Sequence, residues 1–552
     1  MLKSSDLRVR ELADRYWDRF LELEPLFATQ VGDERFDHRL PDPSAEGLVR
    51  QDSVHRTALS AAGLDRDKLS EESRMTLDVV ETLARNRLSS IEHRFDRFDA
   101  ADHMWGPGTI LAQIGSVQRS DTPERLERYL VRLTAVPDYL AASGEILRDA
   151  AASGQTSPRL VVDRSIAQVE RLLRSTPAES PAISPVPEGD SDARVRVQEV
   201  LRQRVYPAYE NYLQVLRSHR TASRESLGLG ALPDGDRMYA AKILAWTTLR
   251  LDAREIHQRG VETLARIQDE RREVAANVGA RDPEAAIAHL TERTGNAFAS
   301  RQELLAFAEE QVRKGWDASS HFFGRLPGEN CQVRAVDPSR EADLGEFLVP
   351  ATADGSRPAI YYVNTRSPAG RPRHSLATTT YHEANPGHHL QIAIEQEATE
   401  RAALRRFAAE LIGSPFVEGW GLYAERLADE MNLYDDDYER LGMLEMQAFR
   451  AARLVVDTGI HAFGWDRERA IETMASTGTE RETCAMEVDR YVAMPGQALS
   501  YTLGQQVIEG CRNDAARRLG KSFSLPAFHD RLLSLGSLPL PTIERAMRSF
   551  RG

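Results

Sequence analysis

The stretch Thr378-Thr379-Thr380-Tyr381-His382-Glu383-Ala384-Asn385-Pro386-Gly387-His388-His389-Leu390-Gln391 decides how the rest of this chain is read. Histidines four positions apart on a helix lie about 40° apart around the axis and one turn apart along it, so both imidazoles reach one cation. His382 and His388 are six positions apart. On an unbroken helix that is about 240° around and about 9 Å along, too far for a shared ion with bonds near 2.1 Å. Pro386 removes the difficulty, because it has no N–H to give the His382 carbonyl and its ring clashes there. Gly387 then tolerates the dihedrals that a bulge requires. With Pro386 and Gly387 looped out, what remains is His-Glu-Ala-Asn-His, the four-residue spacing restored. His389 needs three residues looped out, so His388 is the expected second ligand. At seven positions His389 returns to the face of His382 but about 10 Å along the axis, which suits a substrate-facing, supporting or packing role.

Glu383 follows the first ligand directly and is placed to take a proton from water held by the metal, whose pKa the ion lowers toward neutrality. A third ligand is expected from a later helix. Glu418 opens Glu418-Gly419-Trp420-Gly421-Leu422-Tyr423-Ala424-Glu425, and Glu425 lies two turns further on the same face. Glu418 is favoured because Gly419 and Gly421 leave room for close approach to the motif helix, with Glu425 orienting a ligand imidazole; the two roles could be exchanged. The expected cofactor is one Zn²⁺, although a His/His/Glu set also accepts other divalent metals.

Outward from the motif, the chain reads as mainly helical. Leu12, Tyr16, Phe20 and Leu23, and again Leu126, Tyr129, Leu130 and Leu133, recur at three- and four-residue spacing, the second group after the helix start Asp121-Thr122-Pro123-Glu124. Ser175 to Asp192 carries four prolines and reads as an exposed connection. Helical periodicity resumes from Val197 to Leu216, and another long helix is expected from about Arg237 to Val278. Cys331 to Val336, Glu346 to Pro350 and Pro358 to Thr365 are β-favouring runs that predict a small sheet just upstream of the motif. The expected organisation is an N-terminal helical lobe over 1–180, a central helical region over 181–330 and a metal-site region over 331–552, the three together forming one intertwined catalytic unit.

Composition narrows the function classes. The 71 Lys and Arg against 84 Asp and Glu leave a formal charge of −13 with no concentrated basic face, which disfavours a nucleic-acid partner. Three cysteines without close pairing support neither a disulfide framework nor a thiolate metal site. The N-terminal run places charges where a signal peptide needs its apolar stretch, and no segment reaches about 18 consecutive apolar residues, so a cytoplasmic protein with no membrane span is expected. Oligomeric state is not legible.

The run HEANPGHHLQ (382–391), followed by EGWGLYAE (418–425), EVDRYVAMPGQALSYTLG (487–504) and FHDRLLSLGSLPL (528–540), resembles the bacterial HExxPGHH family labelled domain of unknown function 885. GLGALPDGDRMYAAKILAWTTLRLDAREIHQRG (228–260) extends the resemblance toward the N-terminus. The family is in turn similar to gluzincin metallopeptidases. The resemblance implies a large two-lobed helical zincin-like fold with a deep central cleft and a small sheet near the metal, and a metallopeptidase- or amidase-like hydrolase acting on a peptide or small amide. Such chemistry needs donors for a developing oxyanion. His461, Arg490, Tyr491 and Tyr501 are candidates, with Asp457 one turn before His461 able to fix its tautomer. Ala359 to Asn364, if an edge strand, could pair with an extended peptide, or it could be a core strand. Two other readings stand beside the peptidase: a metal-dependent hydrolase of a non-peptide metabolite, and a helical protein that binds metal or peptide without catalysis.

Overall fold

Leu12, Tyr16 and Phe20 form the buried stripe of the helix Ser4–Leu23. Leu126, Tyr129, Leu130 and Leu133 do the same in Pro123–Thr134, where Thr122 accepts a hydrogen bond from the Arg125 N–H and Pro123 occupies the first turn. The computed structural model describes residues 4–292, 296–336, 341, 345–351 and 357–552, and it is mainly α-helical with one small sheet. No helix among the described residues is long and apolar enough to cross a membrane.

The chain divides into two compact units: Met1–Met238 with Phe463–Asp466 and Glu487–Met494, and Tyr239–Ala462 with Arg467–Met486 and Pro495–Gly552. The first is helical, with a core that includes Tyr129, Leu133, Leu147, Tyr209, Tyr212 and Leu216. Ser175 to Asp192 is not an exposed connection throughout. It forms the short turns Pro177–Glu179 and Pro181–Ile183, and it buries Ala182, Ile183 and Val186 in that core, because prolines that forbid a helix still leave apolar side chains free to turn inward.

The second unit holds the motif. The long helix expected from Arg237 is two helices, Gly235–Thr247 and Ala253–Asn277. The chain breaks at Thr248, with φ +59, and restarts where Asp252 caps the Glu255 N–H at 2.9 Å. Further on come α1 (Arg301–Ser319), α2 (Arg373–Glu383), α3 (His388–Gln396), α4 (Pro415–Glu430), α5 (Asp437–Phe463) and α6 (Ser500–Leu519). The sheet comprises β1 (Gln332–Ala335), β2 (Phe347–Val349) and β3 (Ile360–Val363), in the order β1-β3-β2. β3 pairs parallel with β1 (Gln332 opposite Ile360) and antiparallel with β2 (Leu348 opposite Tyr361). β3 is therefore the central strand, not an edge; its Ile360, Tyr361 and Val363 are buried, so it has no free edge to offer a peptide. The sheet packs on Leu304, Ala308 and Val312 of α1 and on Leu376 of α2, which fixes it upstream of the motif.

Glycine sets the distance between α4 and α6. A Cβ on Gly419 would lie 2.5 Å from the Gly504 Cα, and one on Gly504 would lie 1.8 Å from the Pro415 carbonyl oxygen. Gly419 thus serves the α4–α6 contact and not approach to the motif helix. Gly504→Ala is expected to lower stability by about 2–3 kcal/mol. Gly510→Ala, on the same helix with nothing within 4 Å, should raise it by roughly 0.5–1 kcal/mol. Thermal unfolding of both variants checks the contact, and equal effects would contradict it.

Candidate metal centre

The helix that carries His382 stops at Glu383, and a new one begins at His388. Ala384 to Gly387 form a turn, so the segment is two helices and not one helix with a bulge. A Cβ on Gly387 would meet the carbonyl oxygens of His382 and Tyr381 at 1.9 and 2.4 Å; close approach is what requires glycine there. The turn is clamped from α4, where the Trp420 indole N–H donates to the carbonyls of Pro386 (3.0 Å) and Gly387 (3.2 Å). On its other side Asn385 donates to Asn330 at 2.7 Å, and Gly315 of α1 gives the Asn385 carbonyl room.

This turn sets the His382 and His388 rings 4.5 Å apart, nearly perpendicular. One oxygen of Glu418, Oε2, lies 3.5 Å from the His382 Nε2 and 3.6 Å from the His388 Nε2. Those spacings are long for hydrogen bonds to a carboxylate, which close to about 2.7–2.9 Å. They match donors around a tetrahedral ion, for which bonds near 2.1 Å imply separations of about 3.4 Å. A Glu383 ligand atom also lies within 4.8 Å of one on each histidine. Glu418 Oε2 is placed nearly symmetrically between the two histidines, while the Glu383 Oε2 accepts the Leu348 N–H of β2 at 3.1 Å. The residues present therefore fit a single divalent cation held by His382, His388 and Glu418, with Glu383 alongside.

Behind His382 the contacts continue. Its Nδ1 meets the Glu425 Oε1 at 2.8 Å, the arrangement that fixes an imidazole with its Nε2 lone pair outward. Gln447 of α5 donates to the Glu425 Oε2 at 2.8 Å, and Gln505 of α6 donates to Gln447 at 2.9 Å. Gly421 makes the space: a Cβ there would sit 2.5 Å from the His382 Cε1. The His388 Nδ1 is buried with no hydrogen-bond partner.

Electrostatics describe a centre short of positive charge. Burial disfavours the His382 imidazolium, but Glu418 and Glu425 outweigh it and raise its pKa to about 9. Burial likewise opposes ionisation of Glu418 and Glu425, yet the histidines hold Glu418 well below the carboxylate range, and Arg450, His382 and Gln447 lower Glu425. Burial raises Glu383. A proton on His382 takes the place that a cation would otherwise fill.

The other residues singled out from sequence make contacts of their own. His389 is buried, with its Nε2 3.0 Å from the Glu329 carbonyl and its ring beside Trp316. Asp457 accepts from the Tyr239 hydroxyl at 2.5 Å and from the Gly496 N–H at 3.1 Å, and the His461 ring packs on Tyr239. It thus anchors the Pro495-Gly496-Gln497 corner, where Gly496 has φ +84. The Tyr501 ring lies under the Arg453 guanidinium at 4.3 Å. Arg490 and Tyr491 belong to the first unit, where both bond Glu487. Trp420, Gln447 and Gln505 were not singled out; only the tryptophan amid glycines in Gly419-Trp420-Gly421 offered a signal.

A family model described as "Bacterial protein of unknown function (DUF885)" matches residues 25–547. Among solved structures, the crystal structure of the "putative lipoprotein from Colwellia psychrerythraea" is similar at TM-score 0.91 and 26% identity over 99% of both chains. The structure of a "putative lipoprotein of unknown function from Shewanella oneidensis" has TM-score 0.78 at 18% identity over 98% of this chain and 100% of that one, and shares the fold. No curated protein matches.

A zinc ion bound through the His382 Nε2 would have to displace the proton there, so its affinity is expected to fall about tenfold per pH unit below about 9 and to level off above it. At alkaline pH, where protons no longer compete, Glu425→Gln should weaken zinc binding by about 10–100-fold. Competition with a chromophoric chelator measures both; a pH-independent affinity, or an unaffected variant, contradicts the arrangement.

Proposed function

Because this chain belongs to the DUF885 family of bacterial proteins of unknown function, membership itself carries no activity, and from the site we propose a metal-dependent hydrolase of amide or peptide bonds. The observation that carries this reading is one carboxylate oxygen of Glu418 nearly equidistant from the Nε2 atoms of His382 and His388, with the Glu383 carboxylate beside them. A divalent cation, zinc by the donor set, would be held by His382, His388 and Glu418 and would supply Lewis acidity toward a carbonyl and a water of lowered pKa. Three protein ligands leave a position open, unlike the four of a structural zinc.

The chain's own residues then divide the work. Glu425 keeps the His382 proton on Nδ1 and its lone pair on Nε2. The Glu383 Oε2 is held by the Leu348 N–H, which leaves Oε1 to take a proton from water and deliver it to the leaving nitrogen. Burial raises the Glu383 carboxyl, bringing it nearer the range where a group both accepts and returns a proton. His389 we read as a packing residue and Asp457 as a backbone anchor.

We propose a cytoplasmic placement for this hydrolase. Cell fractionation tests it: recovery in the membrane pellet, as the lipoprotein descriptions of both solved relatives would have it, counts against it.

Glu383→Gln is expected to retain its metal and lose hydrolysis of a peptide library by a factor of about 100 or more. Metal analysis and turnover of the two proteins, with and without chelator, make the test. Cleavage that survives the substitution or the chelator removes the proposed base or the metal from the reaction.

A further inference from the structure

We propose that Gln447 is a positioning residue for the metal ligand His382, acting through Glu425, an inference that rests on the metal-dependent reading above. Gln447 lies on α5 and is 2% exposed, where a polar side chain is costly unless its donors and acceptors are met. A side-chain amide has two N–H donors and two oxygen lone pairs, and here all four are engaged. The Nε2 donates to the Glu425 Oε2 at 2.8 Å and to the Leu422 carbonyl at 3.1 Å. The Oε1 accepts from the Gln505 Nε2 at 2.9 Å and from the Arg426 Nε at 3.4 Å.

These partners fix which end of the amide faces Glu425. The Leu422 carbonyl can only accept and the Arg426 guanidinium can only donate, so a flipped amide would set oxygen against oxygen and N–H against N–H. Gln505 is held in the same sense, because its Nε2 also donates to the Glu509 Oε1 at 3.1 Å. Gln447 therefore presents an N–H to Glu425, and the carboxylate accepts at both oxygens: Oε2 from Gln447, and Oε1 from the His382 Nδ1 at 2.8 Å. In the neutral imidazole a proton kept on Nδ1 leaves the lone pair on Nε2, the atom that faces Glu418.

The terminal torsion of a glutamate is soft, so one bond to His382 does not by itself set the plane of the Glu425 carboxylate. Gln447 holds the second oxygen and sets that plane, and with it the direction in which the imidazole points. The same four bonds also staple α4, α5 and α6 together, and the two roles part on one point. A staple adds stability whatever stands at position 425, whereas a positioning residue loses its effect on the metal once Glu425 is replaced.

A double-mutant cycle read in zinc affinity separates them. Chelator competition at alkaline pH is measured on wild type, Gln447→Met, Glu425→Met and the double variant. Gln447→Met keeps the length of the side chain and loses its hydrogen bonds, and zinc affinity should fall about tenfold. Beside Glu425→Met the same substitution should change it by less than about twofold. The visible absorption of cobalt-loaded protein, which follows ligand geometry, should shift in Gln447→Met. Leu216→Ala, a destabilising change in the core of the first unit, should leave both readouts alone. If Gln447→Met does not fold, Gln505→Met, which removes the 2.9 Å bond that aims the amide, should weaken zinc about threefold and shift the cobalt spectrum. Unchanged zinc affinity and spectrum, or a loss that recurs in full beside Glu425→Met, would overturn the proposal and leave Gln447 a staple. Zinc binding that depends on Gln447 in a protein that hydrolyses nothing would remove the hydrolase reading alone. Hydrolysis with zinc affinity indifferent to Gln447 would remove this inference alone, and a wild-type protein that binds no zinc would remove both.

Discussion

For four residues, Ala384 to Gly387, the chain is not helical, and the centre depends on that interruption. Had α2 run on, His388 would lie on the far side of the axis from His382. The break turns the start of α3 back, so that both imidazoles face one oxygen of Glu418. The Trp420 indole holds two of the turn's carbonyls, Gly387 presses on the carbonyls of Tyr381 and His382, and Gly315 admits Asn385. Since Trp420 shares α4 with Glu418 and Glu425, the helix that clamps the turn also delivers the carboxylates, which couples ligand spacing to helix packing.

Burial gives the cluster its chemical character. Glu425 is fully buried and Glu383 and Glu418 partly so, in one region with two histidines, and ionised carboxylates with little access to water are costly unless paired. Without an ion, a proton on His382 offsets part of that charge, and its pKa is raised to about 9 in consequence. A divalent cation, if held there as proposed, would perform the same neutralisation while leaving both imidazoles neutral, the form in which imidazoles ligate. Folding and the proposed metal binding would thus draw on the same electrostatic demand.

How much of this was legible in the sequence follows from the range of each interaction. The fold class was readable because helical stripes such as Leu126, Tyr129, Leu130 and Leu133 are local patterns, and so was the small sheet. The pairing of His382 with His388 followed from what proline forbids, although that reading anticipated a bulge where the helix ends. Gly421 was foreseen as room for the motif helix, whereas Gly419 turned out to face Gly504, 85 positions away in sequence. The same distance hid the support from Gln447, Gln505 and Arg450. Asp457 and His461 are one turn apart on a helix, but spacing does not reveal that Asp457 holds Tyr239 and the backbone at Gly496. Nor does it show that Tyr501 lies beneath Arg453, or that β3 is flanked on both sides.

X-ray absorption at the zinc edge, on protein loaded with one equivalent of metal, examines the shared ion directly. Two imidazole nitrogens and a carboxylate oxygen at about 2.0–2.2 Å, with one imidazole lost in His388→Ala, is the expected result. A spectrum without imidazole scattering, or one that His388→Ala leaves unchanged, would contradict it.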